Sequence, residues 1–111
     1  MMNIYDTTAV FNKVSVSLKT YDNWLVLSVK EGFTRCKIYF RIRTLYKEEN
    51  STNIFVVSPK QFEPGQDIFA KVIYDKFVVP NEHSIRKTSE TYLFSEEIEK
   101  IFEDIYNYIK M

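Results

Sequence analysis

The sequence predicts an α+β fold, a twisted antiparallel β-meander of about five strands followed by one C-terminal amphipathic helix. Three observations carry that reading. Apolar and polar residues alternate with period two from Val10 onward. Short Asp-, Asn-, Gly- and Pro-containing runs interrupt the alternation. One stretch only, after Ser95, changes to apolar spacings of three and four.

Taken in order, Val10 to Lys19 reads as the first strand, with Val14, Val16 and Leu18 on one side and Lys13, Ser15, Ser17 and Lys19 on the other. Tyr21-Asp22-Asn23 supplies a turn, because Asp and Asn tolerate bent backbone. WLVLSVKE is the second strand, setting Leu25, Leu27 and Val29 against Trp24, Val26, Ser28 and Lys30. Gly32 marks the next turn, and CKIYFRIRTLY (Cys36 to Tyr46) is the third and longest strand. KEENSTN, Lys47 to Asn53, reads as a polar loop. NIFVVSPK forms a short strand stopped by Pro59, which lacks a ladder donor. Glu63-Pro64-Gly65-Gln66 has the signature of a type II turn. DIFAKVIYDKFVV reads as a fifth strand broken near Asp75, PNEHSIRKTSE as a second polar loop, and TYLF as a short strand or an extended lead-in. The helix follows. Ile98, Ile101, Phe102, Ile105, Tyr108 and Ile109 make one apolar stripe, Ser95 is placed to cap it, and Glu96 and Glu97 suit the positive end of its dipole.

With 111 residues and 45% hydrophobic composition, the chain has the material for one domain with one core. Its formal charge is zero, but the zero averages two unlike parts. Val10 to Lys47 carries eight basic residues against two acidic ones, a net of +6, while Ser89 to Met111 carries a net of −4. Local fields rather than the total govern attraction of a charged partner. The N-terminal MMNIYDTTAVF lacks the basic and apolar regions of a signal peptide, and no apolar run reaches a membrane span. The expectation is a cytoplasmic protein with no membrane partner. The single cysteine, Cys36, falls on an apolar strand row and reads as core.

Catalytic signatures are sparse. One His, His83, stands in a polar loop and reads as a solvated side chain. One Cys and one His do not make a tetrahedral zinc site, and two isolated glycines do not make a phosphate loop. The carboxylate pairs Glu48-Glu49 and Glu96-Glu97 have ordinary places in a loop and a helix start. The chain therefore reads as a non-enzyme with no cofactor and no metal.

The alternate row of the third strand, Lys37, Tyr39, Arg41 and Arg43, is the strongest functional candidate. Such residues project from one side at about 6.5–7 Å intervals, a scale close to the phosphate spacing of single-stranded nucleic acid. Arg and Lys neutralise phosphates, and an exposed Tyr offers a ring for base stacking. Lys13 and Lys19 widen the patch if the first strand presents its polar row on the same side. The competing readings are the wet face of an antiparallel sheet and a protein-docking surface.

From Ile42 onward the chain resembles the septation and sporulation regulators of the stage V sporulation protein G type. The matching residues are Ile42-Arg43, Phe55-Val56-Val57-Ser58-Pro59-Lys60, Gly65, Asp67-Ile68 and the helix from Ser95. Ser58 stands where that family usually has Met, Gln61 where a second basic residue is common, and Val79 to Leu93 has the character of an insertion. The resemblance implies a homodimer that pairs sheet edges and binds nucleic acid, with Lys60 as a basic contact. The order of elements is also similar to that of single-stranded-DNA-binding transcriptional coactivators.

The resulting expectation is a small homodimeric regulator that binds nucleic acid, single-stranded DNA or RNA, through Lys37, Tyr39, Arg41 and Arg43, supported by Lys13, Lys19 and Lys60. The alternative is a phage- or mobile-element-type inhibitor or adaptor that docks on a host protein.

Overall fold

The structure is a computed structural model that describes residues 6–11, 13–31, 34–57, 68–84 and 90–109. Period-two alternation in the N-terminal part becomes five consecutive antiparallel strands: β1 (Asp6–Phe11), β2 (Val14–Tyr21), β3 (Trp24–Glu31), β4 (Thr34–Lys47) and β5 (Asn50–Val57). A helical segment follows, α1 (Ile68–Ile73), which runs on into a π-helical turn (Tyr74–Val78) and a 3-10 turn (Val79–Asn81). Then come β6 (His83–Ser84), β7 (Thr91–Phe94) and α2 (Ser95–Ile109). The strands form one seven-stranded sheet in the order β1-β2-β3-β4-β5-β7-β6. The expected α+β class, antiparallel meander and C-terminal helix are all present.

Three local expectations are corrected. The first concerns Val10 to Lys19, which is not one strand: Phe11 pairs with Val14 and the chain reverses at Lys13 between β1 and β2. The pairing of Phe11 with Val14 shifts the core-facing row from Ala9 in β1 to Val14, Val16 and Leu18 in β2, so Val10, which continues the Val14 series by period two, is exposed instead. KEENSTN, in turn, is mostly strand rather than loop. Lys47 pairs with Asn50, and the reversal is confined to Glu48 and Glu49, with Glu48 at φ 56°. Polar content misleads there because these pairs lie beyond the core, where strands need no apolar row. Finally, DIFAKVIYDKFVV is helical over its described part, not a strand. Its β-branched residues favour a strand, but Ile73, Phe77 and Val78 recur at helical spacing and are buried together, so packing overrides propensity. The Tyr21-Asp22-Asn23 turn is as expected, with Tyr21 opposite Trp24 and Asp22 at φ 51°. The turns assigned to Gly32 and Glu63 to Gln66, the stop at Pro59, and Lys60 lie outside the described residues.

Packing follows the alternation. Val16, Leu18, Leu25, Leu27, Ile38, Phe40, Phe55 and Leu93 project from one face of the sheet and are fully buried. The α2 stripe, Ile98, Ile101, Phe102 and Ile105, covers them, joined by Ile73, Phe77 and Val78. Each such side chain contributes about 1.5–3 kcal/mol of burial energy, so this face holds the fold together. Cys36 belongs to it as a buried free thiol.

A polar latch fixes the π-helical turn. The Tyr74 hydroxyl donates to the Glu82 carboxylate just before β6. Burial, first, and Glu82, after it, push the ionisation of Tyr74 well above the ordinary phenol range. The folded state thus favours the protonated phenol. Its contribution to stability is complete below about pH 10, the unfolded value, and is lost as pH rises above it.

Two outcomes are expected. Phe40→Ala should lower the unfolding free energy in urea by about 3–5 kcal/mol, whereas Tyr46→Ala, at a highly exposed position, should change it by less than about 0.5 kcal/mol. Tyr74→Phe should flatten the alkaline loss of stability measured in urea melts from about pH 9 to about pH 11.5, because the group whose ionisation opposes folding is gone.

Candidate functional site

Once α2 and α1 occupy one face, strand alternation sends the other residues of β2, β3 and β4 to the opposite face. Register then fixes their neighbours. Arg41 lies beside Trp24 on β3 and Val56 on β5, and Trp24 lies beside Tyr21 on β2. Two positions along β4, Tyr39 lies beside Val26, and Val26 beside Lys19. Lys37 stands next to Ser28, and Arg43 next to Ile54.

These residues enclose an open hollow of about 800 Å³, lined by Tyr21, Trp24, Val26, Lys37, Tyr39, Arg41, Arg43, Val56 and Glu90. Its floor is apolar: Val26 and Val56 are each only 4% exposed although neither described helix covers this face. Larger side chains shield them. Tyr21, Trp24 and Tyr39 are exposed at 58%, 39% and 42%. Trp24 meets Tyr39 edge to face with ring centroids 6.2 Å apart, and the Arg41 guanidinium sits 5.4 Å from the Trp24 ring centroid. The Ile42 amide donates to Asn23 O at 2.7 Å, which ties the β2–β3 turn to β4 and holds Tyr21 and Trp24 beside the basic row.

The four central residues expected from the sequence, Lys37, Tyr39, Arg41 and Arg43, therefore come together in one hollow. Lys19 shares their face at its margin. Lys13 does not join them. It is exposed in the β1–β2 turn at the opposite end of β2, about 20 Å from Lys19. Lys60 lies outside the described residues. Arg43 has a partner, since its Nη1 is 3.3 Å from Glu90 Oε2.

Five contributors were missed: Tyr21, Trp24, Val26, Val56 and Glu90. The first two carried a signal. Trp24 is a bulky ring in an otherwise small or polar row, and a two-residue turn puts Tyr21 directly opposite it. Val56 and Glu90 come from distant segments, and only the β5–β7 pairing brings them to β4.

His83 is not the solvated loop side chain expected. It stands on β6, stacked near Tyr92 and Phe94 with centroids 5.2 and 5.4 Å away, and its Nε2 is 2.9 Å from Glu97 Oε2. Glu97 Oε1 in turn accepts from the Phe94 amide at 2.8 Å, so the helix start is capped from its third residue, while the sequence pointed to Ser95. This cluster is structural, tying β6 to α2. Among the described residues no group of three or more His, Cys, Asp or Glu is placed to hold a metal ion. No helix among them is long and apolar enough to cross a membrane.

Comparison with protein families, with curated proteins and with solved structures finds no match.

The Arg41–Trp24 contact is worth about 0.5–1 kcal/mol at an exposed site. Arg41→Glu should accordingly keep the fold and lower the unfolding free energy in urea by no more than about 1 kcal/mol, with α2 and sheet content unchanged by circular dichroism.

Proposed function

We propose that the open face binds single-stranded nucleic acid and that the protein acts through such binding in a regulatory role. One observation carries this reading: three exposed aromatic rings and three cations, Lys37, Arg41 and Arg43, converge on a single hollow over an apolar floor. Rings on a sheet surface stack with bases that are already unstacked, which a duplex does not offer. Lys37, Arg41 and Arg43, with Lys19 at the margin, supply phosphate contacts along the path of β4. The hollow is of the size that takes a base with its sugar. The opposite side of the protein suits this role too, because Glu96, Glu99, Glu103 and Asp104 are exposed on α2 and repel the strand from that side.

Trp24 is the chain's single tryptophan and lies in the hollow, so its emission reports occupancy directly. Titration with single-stranded oligothymidylate should quench it, and the logarithm of affinity should fall against the logarithm of salt with a slope of roughly −2 to −3 if three to four phosphates are engaged. Arg41→Glu combined with Lys37→Glu should abolish binding while the protein stays folded. Absence of binding at low salt would sink the proposal and leave docking on a host protein, through the acidic outer side of α2, as the remaining reading.

A further inference from the structure

The open face does not end at the hollow. Residues directly opposite one another in an antiparallel sheet share a face, so register carries two rows outward from β4. Arg41 pairs with Val56, Val56 with Tyr92, and Tyr92 with His83. Arg43 pairs with Ile54, and Ile54 with Phe94. The rings of β6 and β7 that tie the sheet edge to α2 therefore lie on the same side as Tyr21, Trp24 and Tyr39, with the cations of β4 between the two groups. We infer that His83, Tyr92 and Phe94 form a second stacking platform, and that a bound single strand runs from the hollow across β5 onto β7. The inference rests on the nucleic-acid reading above and gives the bound strand its course.

Three features suit the platform to this role. The way to it is apolar: Val56 and Ile54 are 4% and 8% exposed, and both belong to this face rather than to the core cluster beneath α2. Its rings hold one another in place. His83 and Tyr92 have centroids 5.2 Å apart and planes inclined by 31°, and Phe94 meets Tyr92 edge to face at 5.4 Å. Rings fixed in this way lose little freedom when a base stacks on them. Its outer member is open, since the His83 side chain is 43% exposed. The contact of His83 to Glu97 is made at Nε2, in the plane of the ring, so it sets the ring without occupying a face.

The spacing also fits. Neighbouring strands are about 4.8 Å apart, so the three intervals from Trp24 on β3 to Tyr92 on β7 amount to about 14 Å. A single strand that advances about 6.5–7 Å per nucleotide, the scale of residue spacing along one strand face, covers this in two steps. One base then stacks in the hollow, the next crosses Val56, and the third reaches Tyr92. Arg41 and Arg43 stand beside the phosphates in between.

The test keeps every phosphate and varies only the bases. Oligothymidylate of six nucleotides is compared with two six-unit strands in which the four positions at one end or the other are abasic, with Trp24 emission as readout. The full strand should bind roughly tenfold or more tighter than either abasic strand, the usual effect of one further stacked base. Tyr92→Leu keeps an apolar side chain without a ring. It should bring the full strand to within about threefold of the abasic strands and leave the abasic strands within about twofold of their affinity for the unaltered protein. His83→Ala, at the exposed edge, should reduce the gain in the same direction and decides the matter if Tyr92→Leu does not fold. Equal affinity of the full and abasic strands for the unaltered protein would overturn the second platform while leaving the nucleic-acid reading intact. Retention of the full gain by the folded variants would overturn it as well, as would an equal loss for all three strands with circular dichroism unchanged. Failure of every strand to bind the unaltered protein would remove the nucleic-acid reading itself.

Discussion

The packing of the α2 stripe against one face of the sheet is the constraint on which the rest depends. Ile98, Ile101, Phe102 and Ile105 need an apolar partner, and Leu18, Leu27, Ile38, Phe40 and Phe55 provide it. Because strand side chains alternate, burying that row leaves no choice for the other. Tyr21, Trp24, Lys37, Tyr39, Arg41 and Arg43 all go to the opposite face, and antiparallel register sets them side by side. The candidate site is thus a consequence of the core. A slip of one residue in β4 would bury Arg41 and expose Phe40.

That opposite face is more than the wet side of a sheet. A wet face scatters single charges over water-exposed backbone, whereas here Val26 and Val56 are closed off by rings and by the stems of cations. The sheet also separates charge. The basic row lies on one side and the acidic outer surface of α2 on the other, so a chain of zero formal charge presents a directional field. On the proposed reading, such a field orients an anionic strand before contact, and the rings then hold it by stacking.

Much of this was legible in the residues. The apolar row Cys36, Ile38, Phe40 and Ile42 was visible as core, the α2 stripe as its cover, and Lys37, Tyr39, Arg41 and Arg43 as one surface. What escaped has physical causes. The reversal at Lys13 shifts the core-facing row by one position, but Val10 continues the period-two series of Val14, Val16 and Leu18, so two strands read as one. The reversal at Glu48-Glu49 sits among polar residues, so the strand ends beside it read as a loop. The helical turn from Ile68 is rich in β-branched residues, and only burial of Ile73 with Phe77 identifies it. Glu90 and Val56 enter the hollow through strand pairing between segments far apart in the chain, which no local pattern encodes. His83 likewise finds Glu97 only after β6 is seated at the sheet edge.

The central claim is that function resides on the face of the sheet opposite α2. Backbone amide shifts of isotopically labelled protein, followed by NMR during titration with a single-stranded oligonucleotide, test it most directly. Changes should concentrate at Tyr21, Trp24, Lys37, Tyr39 and Arg41 on β2 to β4, with Glu96, Glu99 and Glu103 on the outer side of α2 unmoved. Changes centred on α2, or none at saturating oligonucleotide, would contradict it.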